Sequence, residues 1–122
     1  TCTGSINCSS GELQVMQALN KLNIEYVYDQ SYDGLKDTRY LRWDFRIDTT
    51  PPRFIEYDGE YHYNAIKKSK DMTFEQAQAN LETIQKRDKI KNAYCTTNGY
   101  PLLRIAYWDK NKIENLVSEF IL

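Results

Sequence analysis

Three acidic side chains and the only histidine of the chain lie close together in the sequence, at Asp44, Glu56, Asp58 and His62. Carboxylates that converge repel one another and ionise reluctantly unless a cation lies between them. Mg²⁺ and Mn²⁺ bind oxygen ligands of this kind and keep water molecules for a substrate phosphate. An imidazole titrates near neutral pH and can take a proton from an attacking water. These residue types predict metal-dependent phosphodiester hydrolysis, with the three acids as metal ligands.

Two predicted strands position these acids. Residues 40–47 alternate between apolar and polar side chains, and residues 54–58 form the next strand after a turn that contains two prolines. Side chains two positions apart share one face of a strand, so Glu56 and Asp58 point the same way. If the two strands pair, Asp44 converges with them on one face of the sheet.

The remaining elements supply two further acids. Glu12 lies on the inward face of a helix near the N-terminus, and the inner face of a long helix changes from apolar to charged at Asp88 and Lys91. The pattern predicts an α/β domain, a mixed sheet of about four strands with helices on both faces. In order, the predicted elements are a helix over 11–21, strands over 24–32, 40–47 and 54–58, a helix over 73–94, a strand over 101–108 and a last helix.

Composition limits the organisation of the chain. Its 122 residues fit one domain, predicted over 9–122 after a flexible N-terminal segment at 1–8. The odd set of Cys2, Cys8 and Cys95 disfavours a disulfide framework and favours a reducing cytoplasm. We expect no membrane span, because no apolar run approaches the ~18 residues that it needs.

The charge balance bears on the partner. A net charge of −1 argues against electrostatic binding of DNA over the whole protein surface. We therefore expect an additional DNA-binding domain or a homodimer to supply the affinity for DNA. The weak candidates for DNA contacts are Lys67, Lys68 and Lys70 in a polar loop, with Lys91 and Arg104.

The central stretch resembles the PD-(D/E)xK nucleases, with Asp58 where their lysine stands. It is more similar to the very-short-patch-repair (Vsr) endonucleases, which share Asp-Phe at Asp44-Phe45 and a histidine 18 positions after that aspartate, here His62. It is most similar to the phage homing endonucleases of the EDxHD type, which have a Vsr-like core. The matching blocks are SSGE around Glu12, WDF around Asp44, IEYDGEYH from Ile55 to His62, RDKIKNAYC from Arg87 to Cys95 and PLLRIAYW from Pro101 to Trp108.

The resemblance implies a role for each matched residue and a PD-(D/E)xK core of order αβββαβα. Asp44 would bind Mg²⁺ or Mn²⁺, and Glu56 would add a ligand through its side chain or its carbonyl. His62 would activate water, and Glu12 would hold a metal-bound water. Asp88 would be a partner of the site or a further acid.

The function expected from this resemblance is endonuclease cleavage of double-stranded DNA, in the cytoplasm of a bacterial host if a phage encodes the chain. The zinc ligands of the repair enzymes are absent, which favours site-directed cleavage over mismatch repair. Two alternatives stay open. One is a structure- or mismatch-specific nicking nuclease, or one acting on RNA, and the other is a non-catalytic interaction module with a nuclease-like fold.

Overall fold

The computed structural model describes residues 9–36 and 40–122, with the side chains of 29–41 outside that description. The predicted flexible segment at 1–8 also lies outside the described residues. The helices and strands are α1 (Ser10–Lys21), β1 (Val27–Lys36), β2 (Tyr40–Ile47), β3 (Arg53–Asp58), α2 (Phe74–Asn98), β4 (Leu102–Ala106) and α3 (Ile113–Ile121), with 3-10 helices over Glu60–His62 and Tyr107–Lys112.

The four strands form one mixed sheet in the order β1-β2-β3-β4. The first three strands are antiparallel, and β4 runs parallel to β3 after the crossover that contains α2. The predicted α/β class, with a four-stranded mixed sheet flanked by helices, is confirmed. Parallel pairing places Glu56 beside Arg104 and Asp58 beside Ala106.

The first strand is longer than predicted. The predicted strand ends at residue 32, before the turn-favouring types Asp33 and Gly34, but both residues lie within β1, which continues to Lys36. The pairing of β1 with β2 shifts register between Ser31 and Lys36. Asp and Gly favour turns, but here they lie in a strand, at the point where its register with β2 shifts. Such irregularities in a strand also tolerate these residue types.

The sheet has a different core on each side. The larger cluster joins the sheet to α1 and α3 and includes Val15, Phe45 and Val117. The smaller cluster contains Trp43, Phe54 and Cys95 and lies against α2. The predicted alternation placed Trp43 on the same side as Phe45, and this was wrong, because Trp43 packs with Phe54 in the smaller cluster and Phe45 lies in the larger one.

The long helix α2 has little apolar contact for its 25 residues. It begins with a capping box between Thr73 and Gln76. Its buried residues are Ala77, Leu81 and Cys95. Between the last two, Asp88 and Lys91 also face the sheet, and these polar side chains are part of the candidate site.

Candidate active site

Glu56 and Asp58 lie on the face of β3 that points to α2, as the alternation predicts. Each residue is only 2% exposed. Lys91 Nζ on α2 lies 2.6 Å from Glu56 Oε1, and Arg104 Nη1 on β4 lies 2.9 Å from Asp58 Oδ1. Both buried acids therefore have a basic partner, which buried carboxylates require.

Asp44 lies next to Glu56 where β2 and β3 separate. The ladder between the strands extends to the pair Phe45 and Ile55. Beyond that pair, the Asp44 amide donates to Glu56 Oε2 at 2.6 Å, and the Tyr57 amide donates to Asp44 Oδ2 at 2.8 Å. The carboxylates of Glu56 and Asp44 thus accept backbone N–H groups in place of backbone carbonyls. The two acids lie next to each other, as predicted.

The electrostatic environment of Asp44 disfavours its negative charge. Burial raises its pKa well above the ordinary value, and the charges of Glu56 and Glu12 raise it further. The Tyr57 amide and Lys91 act in the opposite direction without cancelling this effect. Burial also raises the pKa of Glu56, against the lowering effect of Lys91.

Asp44 keeps one free oxygen. Its Oδ1 accepts no hydrogen bond from any residue in the described part of the chain. A partly buried carboxylate with unbalanced charge and an open oxygen fits a hard cation such as Mg²⁺.

Glu12 is held near Asp44 by the packing of α1. Its Oε1 accepts the Ser9 amide in a capping box. The preceding Gly11 lies so close to Tyr57 that a Cβ there would be 2.1 Å from the ring. This close approach brings the first turn of α1 against β3, and the Glu12 charge raises the pKa of Asp44 and, after burial, that of Tyr57.

His62 is held by a second set of acids. It ends the 3-10 helix that follows β3, and its Nδ1 lies 2.9 Å from Asp88 Oδ2 and 3.6 Å from Asp58 Oδ1. The Gln85 amide donates to the His62 carbonyl at 3.3 Å. Asp88 thus orients the half-buried ring through Nδ1, and Nε2 has no hydrogen-bond partner among the described residues.

Arg104 joins these acids to α2. Its Nη2 donates to the Asp88 carbonyl at 3.3 Å and lies 3.5 Å from Asp88 Oδ1, while Nε donates to Asn92 at 2.6 Å. Burial alone would lower the pKa of Arg104, but Asp58, Asp88 and Glu56 together raise it. Burial and the hydrogen bond to Asp58 raise the pKa of Tyr63 to about 12.

A cavity of about 390 Å³ opens beside this second set. Ligand atoms of Asp58, His62 and Asp88 there lie within 4.8 Å of one another. A larger cavity, of about 920 Å³, is lined by residues 20, 23–28 and 47–49 and contains none of the predicted site residues. The smaller cavity is lined by Asp58, His62 and Asp88, and its lining does not include Asp44 or Glu56.

The predicted site residues fall into two neighbouring sets. The Asp44 set contains Glu12, Asp44, Glu56 and Lys91, and the His62 set contains Asp58, His62, Asp88, Arg104 and Tyr63. Among the residues described, no hydrogen bond or ion pair connects His62 with Asp44 or Glu56.

Three of the predicted residues have partners inside the protein that bear on their predicted roles. Asp58 was expected to bind metal with Asp44 and Glu56, but both of its oxygens accept hydrogen bonds in the His62 set, from Arg104 and Tyr63. Lys91 and Arg104 were expected to contact DNA, but they point inward to buried acids, which need them as counter-ions. The lysines of the polar loop, Lys67, Lys68 and Lys70, are exposed as expected.

Sequence reasoning left Arg104 open between a phosphate contact and an internal acid, and it missed the pair of Lys91 with Glu56 and the role of Tyr63. Two signals were available: an arginine within the apolar strand β4, and a charged stretch on the inner face of α2. Both indicated internal bases, since a charge facing a sheet needs an opposite charge.

A scan against protein-family models found no match, and neither did searches of curated proteins and solved structures. Among the described helices, none is long and apolar enough to cross a bilayer.

Proposed function

We propose that this chain is a metal-dependent DNA endonuclease that hydrolyses phosphodiester bonds. The observation that supports this most is Asp44, whose partly buried carboxylate lies among other acids with one oxygen open. Mg²⁺ or Mn²⁺ would bind there through Asp44, with Glu12 contributing charge and Glu56 fixing the Asp44 backbone. The proposed PD-(D/E)xK fold and the Vsr-like relationship rest on the sequence resemblance.

A divalent cation at this position supplies two effects: it polarises the scissile phosphate and lowers the pKa of a nearby water. The chain supplies the rest. His62 takes a proton from the attacking water at Nε2, because Nδ1 is engaged by Asp88. Asp88 also stabilises the imidazolium that results, as an ionised carboxylate beside an imidazole does.

Double-stranded DNA is the proposed substrate, and the exposed lysines at 67, 68 and 70 are proposed phosphate contacts. The resemblance implies cleavage that leaves a 5′ phosphate. We place target recognition in an additional DNA-binding domain or in a homodimer, and activity in the cytoplasm of a bacterial host.

One observation favours a second candidate, a nuclease for branched, mismatched or RNA substrates. Tyr61 is 46% exposed and stacks on His62 at 5.7 Å, and Lys68 lies 5.3 Å from the Tyr61 ring centroid. Exposed aromatic rings beside lysines suit unpaired bases. Digestion of matched duplex, mismatched, branched and RNA substrates separates the candidates, since cleavage of branched DNA alone excludes site-directed cleavage of duplex.

His62→Ala tests the proposal directly. We expect wild type to nick supercoiled plasmid in Mg²⁺ but not in EDTA, and the variant to be at least ~100-fold slower, because it lacks the base. Asn64→Ala, an exposed change two residues away, is the control and keeps the wild-type rate. Equal nicking by wild type and His62→Ala excludes the proposed base. A wild type that neither binds Mg²⁺ nor cuts supports the non-catalytic interaction module.

A further inference from the structure

We infer that Lys91 and Arg104 act as built-in cations that limit the site to one divalent ion per chain, held at Asp44. This single-ion site presupposes the metal-dependent function proposed above. It also assigns Lys91 a positioning role inside the protein, in place of a contact with DNA.

Glu56 has no oxygen free for a metal ion. Lys91 lies 2.6 Å from Oε1, and the Asp44 amide donates to Oε2 at 2.6 Å. The Lys91 ammonium is also fixed from a second side, since it lies 5.4 Å from the centroid of the Trp43 ring. A second metal ion bound by Glu56 would have to displace this ammonium.

The His62 set has the residue types of a metal site, but Arg104 supplies its cation. Arg104 donates to Asp58 Oδ1 and to the Asp88 carbonyl, and Tyr63 donates to Asp58 Oδ2 at 3.1 Å. Nδ1 of His62, the ring nitrogen nearest these acids, is engaged by Asp88. A divalent ion placed among these groups would meet a guanidinium at close range, which Coulomb repulsion disfavours.

The carboxylates that form no ion pair with Lys91 or Arg104 match the charge of one divalent ion. Lys91 balances Glu56, Arg104 balances Asp58, and Asp88 is held between His62 and Arg104. Asp44 and Glu12 have no cationic partner among the described residues. Two carboxylates and one open oxygen at Asp44 suit a single Mg²⁺ that keeps several waters.

Counting bound Mn²⁺ tests this inference without a cleavage assay. Titration of the full chain with Mn²⁺ at pH 8, followed by electron paramagnetic resonance of the free ion, should give one ion for wild type and none for Asp44→Asn. Lys91→Met should bind two, because it frees Glu56 while keeping an aliphatic chain against Trp43. Lys86→Met, an exposed change on the same helix, should bind one.

Each contrary count has its own meaning. Two ions in wild type, or an ion retained by Asp44→Asn, overturns the single-ion site and leaves metal-dependent cleavage intact. One ion in Lys91→Met overturns the role assigned to Lys91. No ion in wild type overturns the proposed function together with the single-ion site.

Discussion

At the scale of single residues, the buried carboxylate of Asp44 lowers the stability of the folded protein when it is ionised. Its pKa is raised above the ordinary 3.8 by burial and by neighbouring acids, so the folded protein binds this proton more tightly than the unfolded chain does. Such a group stabilises the fold fully below its ordinary pKa, and that contribution is lost as the pH rises through the raised value. Above this raised pKa the ionised Asp44 therefore opposes folding until a cation binds.

Asp44→Asn should make the metal-free protein more stable, since a neutral amide removes the unfavourable charge and can still accept the Tyr57 amide. In EDTA we expect its melting temperature to exceed that of wild type by about 3 °C at pH 8 and to converge with it near pH 4. Differential scanning calorimetry across this pH range measures the difference.

The control for this prediction is Asp48→Asn, an exposed acid at the end of the same strand. It should lose only its surface pair with Arg46 and show no gain in stability. Added Mg²⁺ should raise the melting temperature of wild type and of this control but not that of Asp44→Asn. A destabilised Asp44→Asn in EDTA would show that the negative charge of Asp44 supports the fold.

At the scale of elements, local periodicity predicted β3 well. Its alternation placed Glu56 and Asp58 on one buried face, and the change to charged residues along α2 indicated where that helix meets the sheet. The alternation in β2 failed at Trp43, which lies beyond Phe45, the last residue of β2 that pairs with β3. Periodicity describes regular pairing, and the pairing ends where the site begins.

The ion pairs between elements were beyond the reach of the sequence. Lys91 and Glu56 are 35 residues apart, and Arg104 and Asp58 are 46 apart. Their meeting depends on the register of β4 against β3 and on the rotation of α2 over the sheet. Local sequence patterns determine neither the register of β4 nor the rotation of α2. Lys91 and Arg104 were therefore predicted to contact DNA, because their internal partners could not be identified.

The contact of α1 with β3 gives a prediction at this scale. Gly11→Ala would place a methyl group 2.1 Å from the Tyr57 ring, so the ring or the helix must move. We expect a loss of about 1 kcal/mol in the free energy of unfolding, because overpacking exceeds the gain in helix propensity. Urea denaturation measures the loss.

Gly59→Ala is the matched control, since its added methyl group would lie 3.6 Å from Tyr61, an ordinary contact distance. It should be close to wild type in stability. If Gly11→Ala is as stable as wild type, the close packing of the first turn of α1 on Tyr57 is wrong, and with it the placement of Glu12.

At the scale of the whole molecule, the chain has no net positive charge to attract DNA. The net charge is −1, and Lys91 and Arg104 are used inside the protein. With the loop lysines 67, 68 and 70 as the main phosphate contacts, we expect a dissociation constant weaker than about 10⁻⁶ M for duplex DNA at physiological salt.

The salt dependence of binding checks this picture. Each phosphate contact contributes about 0.9 to the slope of log K against log salt, so three lysines give a slope of about −3. Fluorescence anisotropy in EDTA measures both quantities for wild type and for the three lysines changed to glutamine, which should flatten the slope. Nanomolar affinity with a steep slope would place a large basic surface on this chain.

The most direct test of the account as a whole is the rate of plasmid nicking by Asp44→Asn beside Asp48→Asn, both in saturating Mg²⁺. We predict that Asp48→Asn nicks DNA at the wild-type rate and that Asp44→Asn, although folded and more stable than wild type in EDTA, is inactive. Nicking by Asp44→Asn at the rate of its control would contradict the account.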